Sequence, residues 1–156
     1  LYLDEHGIYE QGKPEQIFEH PRREKTRFFV KRIKQLAYNI NSSAFDRFEL
    51  DNNMEVYVKR HLMPAKLVRN IQLLFEELGV QMLMKQLPKQ NTGLTLTLEY
   101  SDSSQRAEIG FEYGHGPYNP LDAGEEDGLS MLIIQRLAKV REWTFKNNLN
   151  TLRLVL

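Results

Sequence analysis

The sequence has no cysteine. Disulfides, thiol nucleophiles and cysteine-bound metals are therefore excluded, and the composition suits a reducing compartment. It has no apolar run of about 18 residues, so no helical membrane span is expected. Neither sign of charge dominates, with Lys and Arg totalling 21 and Asp and Glu also 21. Without a basic field the chain offers little to a phosphate backbone, and nucleic acid is not an expected partner. A GxxxxGK[ST] loop is missing, which rules out P-loop hydrolysis within this segment. His6, His20, His61 and His115 are scattered without ligand spacing, so no zinc site is expected. Leu1-Tyr2-Leu3-Asp4 carries neither an initiator Met nor a signal peptide, and the chain is expected to be a piece of a longer one.

What is present fits one domain with an appended segment. The 156 residues suffice for a proper core. Residues 1–12 read as a short hairpin, with the turn at His6-Gly7 and Gly12 and Pro14 closing the unit. A helical turn at 14–18 and a short amphipathic helix over 22–34, with Phe28, Phe29 and Ile33 inward, follow. Its basic outer face is read as simple solvation.

From residue 35 the period changes. Leu36, Tyr38 and Ile40 alternate as a strand over 35–41. Met54, Tyr57, Val58 and Leu62 then give a helix over 51–62 with Asp51 as its cap. Leu67, Ile71, Leu74, Leu78 and Met82 give a second helix over 64–86, opened by Pro64. Strands follow at 93–100 and 106–113, then a glycine/proline loop, a helix over 128–139 and a strand over 150–156. Trp143 and Phe145 are expected in the core. This order predicts an α+β two-layer sandwich, a mixed and mostly antiparallel sheet with its helices on one face.

Two stretches resemble known families. Gly7, Ile8, Glu10, Gly12, Pro14, Ile17, Phe18, Pro21, Thr26 and Phe29 fall at the spacing found in the tail of ABC-transporter ATPase subunits of the polar amino-acid uptake type. That resemblance covers residues 7–33 and makes 1–34 the end of an ABC ATPase domain. Residues 35–156 resemble the GHKL fold of histidine kinases, gyrase and anti-sigma-factor kinases, on three pieces. FEELGVQML is similar to the Glu-x-x-x-Asn box of that family. The resemblance makes Glu77 the candidate catalytic, water-orienting carboxylate and Gln81 the candidate metal ligand, longer by a methylene than the usual Asn. AEIGFEYGHGPYNPLD, residues 107–122, is similar to the adenine-reading stretch. There the usual Asp falls on Tyr113 or Glu112, and Gly114, Gly116 and Asn119 complete the loop. Strand parity favours Tyr113, which shares a face with Ile109 and Phe111. Gly128-Leu129-Ser130 is similar to the glycine-rich helix start under the phosphates, with Ser130 replacing its second glycine. Glu125, Glu126 and Asp127 suit the helix dipole but repel phosphate.

These resemblances imply a C-terminal regulatory or accessory region of the ATP-binding subunit of an amino-acid ABC importer. The GHKL-like domain would have no turnover of its own and no cofactor. Its partners would be the ATPase domain of the same chain, a second copy of the subunit and the transporter's membrane subunit, on the cytoplasmic face of the membrane. The alternative is a competent domain binding ATP and Mg²⁺, a Ser/Thr protein kinase of the anti-sigma type. A structural spacer is the third reading.

Overall fold

A computed structural model of the chain describes residues 2–4, 7–10, 34–122 and 124–156. The chain divides into two compact units, Leu1–Gln35 and Leu36–Leu156. In the first, β1 (Tyr2–Asp4) and β2 (Gly7–Glu10) pair antiparallel, with Leu3 opposite Ile8 and Asp4 opposite Gly7. The helical turn expected at 14–18 and most of the helix expected over 22–34 lie outside the described residues.

In the second unit five strands form one sheet. They are β3 (Gln35–Ser42), β4 (Gln90–Ser101), β5 (Arg106–Tyr113), β6 (Val140–Lys146) and β7 (Leu149–Val155), in the spatial order β3-β4-β5-β7-β6. The pairs β4–β5, β5–β7 and β6–β7 are antiparallel. At the β3 edge, Ser43 N–H bonds the Lys89 carbonyl while Asn39 meets Thr95, so β3 runs opposite to β4. Alternation sorts the side chains. Leu94, Leu96, Leu98 and Tyr100 of β4 are buried, as are Ala107, Ile109, Phe111 and Tyr113 of β5. Leu152 and Leu154 of β7 join them. The opposite face is polar: Arg153 bridges Glu108 at 2.6 Å and Glu142 at 2.9 Å across three strands.

The helices cover the buried face. α1 (Arg47–His61) sends Leu50, Met54 and Tyr57 into the core. It begins earlier than its apolar spacing suggests, because Asp46, not Asp51, is the cap, accepting from Glu49 N–H at 3.1 Å. Leu62, expected inward, is 85% exposed. It closes the helix in a left-handed conformation with φ 50°, which turns its side chain out. α2 (Ala65–Leu74) passes into a π-helical segment, Phe75–Leu83, and a last turn, Met84–Gln86. The single α-helix expected over 64–86 is thus three pieces. Met84 N–H reaches back five residues to the Gly79 carbonyl, the bond that defines the wider coil. Ile71, Leu74, Leu78 and Met82 still share one buried face. α3 (Gly128–Leu137) adds Ile134. Phe75 meets Phe111 of the sheet edge-on, with ring centroids 5.9 Å apart. Burying each such apolar side chain contributes about 1.5–3 kcal/mol.

β6 has no counterpart in the sequence reading. Its hairpin with β7 turns on Asn147-Asn148, at φ 52° and 59°, the pair of left-handed residues a two-residue hairpin turn demands. Trp143 packs half-buried on the core. Phe145 is half-buried and lies outside the core cluster.

Candidate functional site

Three pieces far apart in sequence meet within the second unit. The π-helical segment touches both α3 and the short 3₁₀ turn Pro120–Asp122 that ends the glycine/proline loop.

Glu77 lies in the π segment and faces the start of α3. Ser130 Oγ donates to Glu77 Oε2 at 2.5 Å, a short charge-assisted bond in a half-buried setting. Gln81 does not join it. Its Nε2 donates to Glu76 Oε1 at 3.3 Å, five residues back, and Glu76 Oε2 lies 2.6 Å from Arg47 Nη2. Adjacent carboxylates therefore take separate partners, one on α3 and one on α1. Gly128 opens α3 directly after the acidic turn Glu125–Asp127. No group of three or more His, Asp or Glu placed to hold a metal ion occurs among the described residues.

The loop after β5 is fastened from below. Tyr113 is fully buried, and its hydroxyl donates to the Tyr118 carbonyl at 2.7 Å. Burial pushes the Tyr113 phenol well above its usual range, and Tyr118 is raised by the same cause. Asn150, at the start of β7, is the clasp. Its Nδ2 reaches the carbonyls of Tyr113, Gly114 and Gly116 at 3.0, 3.3 and 2.8 Å. Its Oδ1 accepts from Tyr118 N–H at 2.9 Å and Trp143 Nε1 at 3.2 Å. Gly116, at φ 88°, makes the backbone turn that brings these carbonyls together, a conformation that L side chains rarely adopt. His115 is exposed, with Nε2 3.1 Å from the Asn91 carbonyl. Asn119 spends its amide locally, donating to Asp122 at 3.0 Å and accepting from Leu121 N–H at 3.1 Å.

Glu112 is not part of this assembly. It lies on the exposed face of the sheet, opposite Thr95 and Thr151, because its neighbour Tyr113 takes the inward position. Glu77 is thus joined to Ser130 of α3, and Tyr113, Gly114 and Gly116 are joined through Asn150, while Asn119 bonds only within its loop, Gln81 turns to Glu76 and Glu112 lies on the other face. Asn150 escaped the sequence reading. Its one signal is a lone amide leading an otherwise alternating strand.

No family model matches the chain, and no curated protein does. Among solved structures it is similar to a chain of the SiaB–SiaC complex from Pseudomonas aeruginosa. The TM-score is 0.58 at 12% identity, over 85% of this chain and 95% of that one. At such identity the likeness carries the fold and nothing finer. The fold is α+β and GHKL-like, with helices on one face of a five-stranded antiparallel sheet. Among the described residues no helix is long and apolar enough to cross a membrane.

Proposed function

We propose that residues 35–156 are a regulatory or accessory module that keeps a GHKL-like fold without nucleotide turnover, carried behind an ABC-type ATPase of amino-acid uptake. The observation that carries this reading is the 2.5 Å bond from Ser130 to Glu77. A carboxylate that orients water must face an open site, and here one of its two oxygens, Oε2, is taken up by a hydroxyl. That hydroxyl stands where a glycine would admit phosphate. Tyr113 fills the position from which an Asp would read adenine, and Gln81 is drawn to Glu76. As placed, these residues do not fit a magnesium nucleotide.

The ABC part of the proposal rests on the pattern from Gly7 to Phe29. On this reading the partners are the ATPase domain of the same chain, a second copy of the subunit and the membrane subunit. The module then lies on the cytoplasmic face, where it restrains or steadies the ATPase dimer.

Calorimetric titration of the chain with ATP and Mg²⁺ tests the absence of turnover at its root. An unpaired adenine amino group, a misplaced amide oxygen and three nearby carboxylates together cost about 3–5 kcal/mol, or two to four decades of affinity. No micromolar binding is expected. Micromolar binding that disappears in Glu77→Ala or Gln81→Ala would sink this reading and put an anti-sigma-type kinase in its place.

A further inference from the structure

A concavity lies elsewhere on the same unit. Between β3, α1 and the α2–π helix is a cleft of about 510 Å³. Glu77, Tyr113 and Ser130 do not line it. Its size falls within the roughly 300–1,000 Å³ that encloses a small organic molecule. The floor is apolar, built on Ile40, Met54, Phe75 and Leu96, all buried. One wall is the π segment, and such widened coils recur at functional sites.

The mouth is charged, and among the described residues its charges are not balanced. Asp51 and Glu55, one turn apart on α1, and Glu76 of the π segment set three carboxylates against the guanidinium of Arg47. Arg47 is engaged by Glu76 at 2.6 Å, and Glu55 by Lys59 at 2.6 Å. Asp51 has no ion-pair partner among the described residues. An apolar floor beneath an unpaired carboxylate complements a molecule with an apolar body and one positive charge. An anion would meet the carboxylates, and a neutral molecule would gain only the floor. A second copy of the chain would need about 800 Å² of surface per partner, far more than one cleft of this size presents.

We propose that this cleft binds a small apolar amine. The site is separate from the Glu77 junction, so the inference goes beyond the reading above and stands whether or not nucleotide binds there.

The test uses the full 156-residue chain, labelled in its methionine methyl groups, and 3-phenylpropylamine as probe. Met54 and Met84 line the cleft, while Met63 and Met131 do not and serve as internal references. The amine should shift Met54 and Met84 alone, with a dissociation constant of about a millimolar or tighter. 3-Phenylpropanol should bind more weakly, and 3-phenylpropanoate weakest. Asp51→Asn should weaken the amine about two- to fivefold, the range of an exposed ion pair, and leave the alcohol unchanged. Asp51→Lys, at an exposed position where folding is not at risk, should reverse the order of amine and carboxylate. Absence of any shift up to about 10 mM amine overturns the proposal. So does equal binding of amine and carboxylate, or a shift that follows protein concentration instead of amine, which would make the cleft a contact between copies.

Discussion

Asn150 does with one amide what loops elsewhere need several residues to do. It is fully buried, and its donor and acceptor ends are each matched, so its orientation is set by the groups around it. Truncation to alanine would leave three carbonyls and two N–H groups without their partner. Water can reach only some of them. Asn150→Ala is expected to lower unfolding free energy by about 3 kcal/mol, read from urea denaturation. A loss below about 0.5 kcal/mol would mean that the clasp contributes nothing. Tyr113 was legible at this scale, because alternation alone puts it on the face of Ile109 and Phe111. Asn150 was not legible, since its partners come from β5, the loop and β6, and no spacing in the sequence announces such a meeting.

Among the elements, strands with clean alternation were readable and widened or paired ones were not. β4 and β5 each show period two, and their apolar sets are the buried sets. The π segment keeps the apolar positions of an α-helix, so periodicity cannot distinguish it, and bonds such as that from Met84 to Gly79 reveal it. β6 mixes Arg141, Glu142 and Lys146 with Trp143 and Phe145 at the sheet's edge, where one strand partner suffices and the apolar signal is thin. Inside the sheet, Gly110 of β5 faces Thr97 of β4 in register, and a Cβ on Gly110 would overlap Thr97 Oγ1. Gly110→Ala should therefore cost about 1–2 kcal/mol despite its better strand propensity. Adding Thr97→Ala should restore most of the loss. A double-mutant cycle checks this, and additive effects would show that the contact is not the cause.

At the scale of the whole molecule, buried tyrosines tie stability to alkaline pH. Burial pushes the Tyr57 phenol up to about 12, only partly offset by the Tyr100 N–H that it accepts at 2.9 Å, and Tyr113 is raised as well. The folded state thus holds these protons more tightly than the unfolded chain, whose tyrosines titrate near 10. Their contribution is complete below about pH 10, and that of Tyr57 is lost as pH climbs through about 12. Tyr57→Phe should cost about 1 kcal/mol at neutral pH, where Tyr100 N–H loses its acceptor, and should flatten part of the alkaline decline. Urea unfolding followed from neutral to alkaline pH measures both, and an unchanged slope would assign the decline to other groups. The sheet order carries a different consequence, in time. β7 sits between β5 and β6 although it is the last of the five strands along the chain. As the polypeptide leaves the ribosome, β4 and β5 can pair at once, but their apolar face has no neighbour on the β5 side until residues 149–155 emerge. Closure of that long separation is the slow, entropy-limited kind. The interval before it is when this domain is most exposed to capture by chaperones or by its own unfinished copies.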